Sequence, residues 1–254
     1  MIFCPNVFRS FDNRVTPDGF CHLAGILRLA TKYFINHLRT QAILQLVSIW
    51  SITLRGHDDM VQRALQAPVE ETMTYPYVHP LHVLNLAREV DVRIIVPSVI
   101  YFLSIYPLDD ILRGDHTKLK FEHPSRPSSQ ISASDLTCYT LMFQYRLNTL
   151  LDFVRRVCHN RTAESDCLGG VISCNKRFAR LAARLSRSWT TRTNVLRFML
   201  QTAHELSEDV DICHSCRKAF LRDIELVREE IWEHLPAVVG LPSWEELKMT
   251  DLPN

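Results

Sequence analysis

Glycine is scarce in this chain. Seven of 254 residues are glycine, under half of the usual share of about 7%. Folds built on tight turns or on loops that cradle phosphate need glycine for close backbone approach, so the shortage argues against a sheet-rich fold and against nucleotide loops. Long apolar runs are missing as well. The longest, over residues 41–54 and 94–108, carry Gln45 or Pro97 and Pro107 and stop short of the roughly 20 residues a membrane-spanning helix needs. They read as buried core helices. An excess of charge is the third thing lacking: 29 Lys and Arg stand against 28 Asp and Glu, a net charge of +1, which gives no global pull towards nucleic acid or an anionic membrane. Asp12, Arg14 and Asp18 interrupt the first twenty residues, so no signal peptide is expected. The expected location is intracellular, in the cytoplasm or nucleus. The eight cysteines are then expected reduced, for packing, metal binding or catalysis.

What is present reads as helix. Apolar residues make up 46% and charged residues 22%, the mix of a soluble globular chain. Residues 1–20 show no sustained periodicity and are expected to form an irregular leader. Leu23, Ile26, Leu27, Leu29, Ala30 and Phe34 recur at helical spacing, and Leu38, Ala42, Ile43, Leu46 and Val47 repeat it after a break near Asn36. A short amphipathic turn is expected over residues 58–65. Pro80 stands where a helix takes its first residue, and residues 92–106 suit a buried helix that Pro97 starts or kinks. Residues 113–131, rich in Pro, Ser, His and Lys, give the clearest linker between a helical region over 21–112 and a C-terminal helical domain over 132–254. Ser132 and Asp135 predict the start of a long helix. Its stripe is expected to be Leu136, Phe143, Leu147, Leu150, Val154 and Val157. Further helices carry Phe178, Leu181 and Leu185, then residues 195–206, then Phe220, Ile224, Val227, Ile231 and Leu235 up to Pro236. The expected fold class is all-α.

The strongest site signal is cysteine spacing. Cys167 and Cys174 flank the Gly169-Gly170 pair, and Cys213-His214-Ser215-Cys216 is a Cys-x-x-Cys at the start of the last long helix. A two-residue gap on a turn aims both sulfurs at one ion, so Cys167, Cys174, Cys213 and Cys216 form a candidate zinc set. Cys158, His159 and His214 are spare ligands. The same cysteines also suit packing as small apolar side chains. A redox dithiol is disfavoured, because no alternation of strand and helix surrounds the Cys-x-x-Cys.

Charge patterning is a second signal. Lys176, Arg177, Arg180, Arg184, Arg187, Arg192 and Arg197 follow one another with no acid between Cys167 and His204, a pattern that can contact phosphates. Residues 205–251 then hold twelve acids against five bases, enough to neutralise that segment within the chain. Nucleic acid is therefore not the expected partner. No nucleophile elbow or oxyanion loop accompanies His37, His57, His79, His82 or His204, so no catalytic residue is assigned and no enzyme activity is expected. His79 and His82, three apart, lack the Glu-x-x-His companion of a metal helix.

Taken together, several stretches resemble a known family. Residues 27–33, His37-Leu38-Arg39 and Ala42-Ile43 look like the closing helical pair of a BTB/POZ domain in proteins of mushroom-forming fungi. Ser132 to Asp135 with Leu136 and Cys138, the cysteines at 167, 174, 213 and 216, Arg228 with Trp232, Leu235-Pro236, Gly240-Leu241-Pro242 and Trp244-Glu245-Glu246-Leu247 are similar to the C-terminal half of the same proteins. The resemblance implies truncated BTB-like closing helices, a BACK-like region, and a non-catalytic role as adaptor or scaffold for a protein partner it does not name. A complete BTB fold needs a strand-rich segment of about a hundred residues. Only some twenty residues precede the closing helices here, so the surfaces for dimerisation and cullin docking are expected to be absent or truncated. From the residues themselves, Arg228 and Trp232 lie four apart on one helix face, which lets the guanidinium cover the indole. Trp244 and Leu247 are expected to be buried rather than offered as a docking peptide.

Overall fold

The structure, a computed structural model, describes residues 16–69, 73–188, 194–209 and 211–253. The expected leader lies outside the described residues up to position 15, as does Arg192 of the basic segment. Among the described residues there are eleven α-helices, one 3-10 turn and one π-helical segment, and no β-strand. No helix among them is long and apolar enough to cross a membrane. By contacts the chain divides into two units, Met1–Tyr139 with Leu241–Asn254, and Thr140–Gly240.

The first unit begins with α1 (Pro17–Lys32), which takes in the last residues of the expected leader. Thr16 caps it by accepting the Gly19 amide, and Pro17 fills a first-turn position where no amide partner is needed. Helix α1 buries Phe20, Leu23, Ala24, Leu27 and Ala30, and α2 (Asn36–Val47) buries Ala42, Ile43 and Leu46. The expected short turn is a full helix, α3 (Leu54–Gln66), capped by Thr53. The centre of the unit is α4 (Pro80–Glu89) and α5 (Val96–Leu103). Leu81, Val83, Leu84, Leu86, Ile94, Ile95, Val96, Val99, Ile100, Tyr101 and Leu103 are all completely buried. Helices apolar on nearly every face survive only inside a core, and Pro97 starts α5 rather than kinking it.

Residues 113–131 are not a bare linker. They follow α6 (Leu108–Arg113), contain the 3-10 turn Thr117–Leu119 with Lys118 and Leu119 buried, and run back over α1 and α4. His82 Nδ1 lies 3.1 Å from the Pro127 carbonyl, Asn85 donates to the Ser128 carbonyl at 2.7 Å, and Arg28 donates to the Ser125 carbonyl at 2.6 Å. The segment is polar because its backbone carbonyls are partners for side chains of the helices beneath it. The division between units falls later, between Tyr139 and Thr140, within α7 (Ala133–Asp152). The chain after Gly240 returns to the first unit. There α11 (Trp244–Asp251) opens with a capping box between Ser243 and Glu246. At its other end Asp251, 4% exposed, accepts the amides of Arg93 and Ile94 at 2.7 and 2.6 Å. Trp244 and Leu247 are buried.

The second unit continues α7 into a π-helical segment, Phe153–His159, followed by α8 (Val171–Ser188), α9 (Val195–Ser207) and α10 (His214–Val238). The start of α7 is as expected: the Asp135 amide donates to Ser132 Oγ at 3.1 Å. Its buried face is as expected at Leu150 and Val154 and differs before them: Phe143 is 46% and Leu147 36% exposed, while Met142 and Arg146 are buried. There the core stripe is rotated by one residue and includes an arginine, which a count of apolar side chains passes over. Pro236 lies inside α10 and does not end it. Arg228, buried on α10, donates its Nε to the Leu196 carbonyl at 3.3 Å.

Candidate metal centre

Four sulfurs meet in the second unit. Cys167 stands in the loop after the π-helical segment, in a turn closed by its own amide on the Glu164 carbonyl. Cys174 is in the first turn of α8, Cys213 caps α10, and Cys216 is in the first turn of α10. The sulfur atoms of Cys167, Cys174, Cys213 and Cys216 all lie within 4.8 Å of one another. Cys167 Sγ is 3.6 Å from Cys174 Sγ and 3.7 Å from Cys213 Sγ. A disulfide needs about 2.05 Å. A tetrahedral zinc with bonds of about 2.3 Å to sulfur has S···S edges of about 3.8 Å, close to both distances. Cys174 and Cys216 are fully buried, while Cys167 and Cys213 are half-buried.

The backbone is shaped to this approach. A Cβ on Gly169 would stand 2.8 Å from Cys213 Cβ, nearer than two carbons can come. Gly170 has φ of 87°, in the left-handed region that suits glycine. The glycine pair of the sequence is thus explained residue by residue: the first lets the Cys167 loop pass against α10, and the second turns the chain into α8.

A buried arginine supports the same loop. Arg161, whose side chain is 8% exposed, donates to Asp223 on α10 at 2.7 Å and to Glu164 at 3.1 Å. Its guanidinium also lies 5.4 and 4.6 Å from the ring centres of Phe178 and Phe220. Glu164 in turn donates its amide to Cys216 Sγ at 3.3 Å, and Asn175 accepts the Ala163 amide at 2.6 Å. Amide donors of this kind orient thiolate ligands and share their negative charge. Sequence spacing did not single out Arg161. Its signal is an arginine placed shortly before the first cysteine, which gains meaning only once Asp223, sixty-two residues on, is beside it.

The four thiols differ in their readiness to ionise. The Cys216 amide, followed by other donors, holds Cys213 down to about 6. Burial pushes Cys216 up to about 12 and raises Cys174. Sulfurs packed this closely oppose each other's ionisation, and a central divalent cation reverses that opposition. The spare ligands are not part of the group. His159 and His214 are exposed, and Cys158 is buried apart, its thiol pushed up to about 12. His79 and His82 do not join a metal group either: His79 Nδ1 caps α4 by accepting the Leu81 amide.

The basic segment is partly neutralised within its unit. Arg177 pairs with Asp211, and Arg184 with Glu205 at 2.8 Å. Lys176, Arg180 and Arg187 are exposed. No family model, no curated protein and no solved structure matches this chain, so the resemblance to BTB/POZ proteins rests on the residues quoted for it alone.

Proposed function

We propose that the second unit is a structural zinc domain, held by Cys167, Cys174, Cys213 and Cys216, within a non-catalytic interaction protein. The observation that carries the reading is the meeting of four sulfurs within 4.8 Å from two distant segments, Cys167 to Cys174 and Cys213 to Cys216. Four thiolates fill a tetrahedral shell and leave no position for water or substrate, which suits a structural ion and not a hydrolytic one. The ion ties the loop before α8 to the start of α10. Binding free energy at such a site becomes folding free energy of the elements that supply the ligands.

Protein purified without chelator is expected to carry one zinc per chain and to lose melting temperature in EDTA. Less than a few tenths of a zinc per chain, together with melting indifferent to EDTA, contradicts the reading. The interaction role is favoured by the surface beside the site: Leu168, in the loop, is 90% exposed and Ile172, in the first turn of α8, is 85% exposed. Replacing both by Ser is expected to leave zinc content and melting unchanged. Loss of either would mean that these side chains pack within the chain and are not offered to a partner.

A further inference from the structure

The first unit buries a cation with no counter-charge. Lys118, 3% exposed, stands in the 3-10 turn Thr117–Leu119. Its Nζ donates to Thr74 Oγ1 at 3.3 Å and to Tyr106 Oη at 3.4 Å, and no carboxylate among the described residues pairs with it. Burial alone lowers its amine to about 8. The Tyr106 ring centre lies 5.9 Å from its Nζ, and Tyr106 packs with two histidine rings. The His79 and Tyr106 centres are 4.5 Å apart, those of His79 and His116 5.0 Å, and those of Tyr106 and His116 5.1 Å.

The hydrogen bonds fix where the protons are. His79 Nδ1 accepts the Leu81 amide at 3.1 Å, so the neutral ring carries its proton on Nε2, which is buried and has no acceptor. His116 Nδ1 accepts the Lys118 amide at 3.2 Å, so its Nε2 is likewise an N–H. Tyr106 Oη accepts from Lys118 and keeps its own proton to donate. Lys118 has a third N–H beyond its two bonds. Donors therefore outnumber acceptors in this group, where the Thr74 and Tyr106 hydroxyl oxygens are the acceptors of Lys118. Asp110, the acid that acts on this group, does so on His116, where burial and Lys118 outweigh it. His116 and Tyr106 are half-buried and form the solvent side of the cluster.

Unpaired buried cations and donors are costly and rare in folded proteins. A cluster that holds several of them is complementary to a ligand that supplies negative charge and several lone pairs at once. We propose that Lys118, His79, His116 and Tyr106 form a binding site for a small oxyanion, a phosphate or carboxylate group, which seats against the Lys118 ammonium and accepts from the two Nε2–H groups and the Tyr106 hydroxyl. The site is in the first unit and is independent of the cysteine centre.

Titration calorimetry and melting of the full chain at pH 7 test it, with inorganic phosphate and acetate added separately and chloride holding ionic strength constant. The expected result is saturable 1:1 binding of one of the two, with a rise in melting temperature; which anion does so tells phosphate from carboxylate. Lys118→Met abolishes the binding and, in anion-free buffer, melts above the unsubstituted protein, because the unneutralised charge is gone. His79→Asn keeps a capping acceptor for the Leu81 amide, removes the Nε2 donor, and weakens binding at least tenfold. A Glu70→Gln, Glu71→Gln double substitution, which removes the acids nearest Thr74 in sequence, leaves binding unchanged. Binding of neither anion, binding that survives Lys118→Met, or an anion-free Lys118→Met protein that melts lower overturns the proposal. So does a double substitution that removes the gain from Lys118→Met, since an acid of the chain itself then neutralises Lys118.

Discussion

Between α4, α5 and the strap over residues 113–131, the first unit buries His79, His82 and Lys118 beside the apolar face of α4 and the almost wholly apolar α5. The second unit gathers four cysteine sulfurs at one place, the N-terminal turns of α8 and α10 and the loop before α8. The first unit sets its buried polar groups, with Lys118 among them, within a large apolar core. The second draws four ionisable groups together around a point that a cation fits. The difference teaches where each unit is vulnerable: a chelator attacks the second through its ligands, and acid attacks the first through histidines that the core keeps unprotonated.

The largest expected effect falls on the second unit. Cys216→Ser or Cys174→Ser removes a fully buried ligand, and hydrogen exchange read peptide by peptide should show loss of protection in α8 and the start of α10 with the first unit unchanged. Structural zinc in small domains contributes on the order of 10 kcal/mol of apparent binding free energy, so the melting of this unit should fall by more than about 10 °C. Equal loss of protection in both units would remove the distinction drawn between them.

Acid should strike the other side. Burial lowers His79 to about 2 and also lowers His82 and His116. Below the ordinary histidine value the unfolded chain takes up protons that the folded chain refuses, so stability is lost as pH falls below about 6.5, and the buried His79 contributes up to about 1.4 kcal/mol per pH unit down to about 2. Urea unfolding of the first unit should steepen accordingly between pH 6.5 and 5, and His79→Asn should flatten the curve. A curve that His79→Asn leaves unchanged contradicts the role given to burial.

Arg161→Met should cost the second unit about 1–2 kcal/mol, because the half-exposed Asp223 and Glu164 lose their partner and the Phe178 and Phe220 rings their guanidinium, and should lower zinc affinity through the Glu164 amide. A stable variant with unchanged affinity would separate Arg161 from the site. Gly169→Ala should cost about 1–3 kcal/mol by overpacking against Cys213, again with reduced zinc retention. Smallest of all, Ser243→Ala should cost about 1 kcal/mol through the capping box, and only in the first unit, where α11 belongs.

The helices were legible in the sequence because each follows from local periodicity and local caps: Pro80 opens α4, Ser132 caps α7, and Phe178, Leu181 and Leu185 face inward on α8. The cysteine centre was legible for a related reason. A Cys-x-x-Cys and a glycine pair between two further cysteines are local patterns whose chemistry has few uses. The roles of residues 113–131 and of Asp251 are not legible locally, because they depend on distant partners. Polar, proline-rich sequence reads as linker until the Pro127 and Ser128 carbonyls are placed against His82 and Asn85, and Asp251 has no visible purpose until the amides of Arg93 and Ile94 are beside it. The buried face of α7 is legible at Leu150 and Val154 but shifts by one residue at Met142 and Arg146, where an arginine takes a core position.

X-ray absorption at the zinc edge, on protein purified without chelator, tests the central claim most directly. The account predicts a single shell of four sulfurs at about 2.3 Å, with one of the four lost in Cys216→Ser. A shell containing nitrogen or oxygen, or protein that carries no zinc at all, would contradict it.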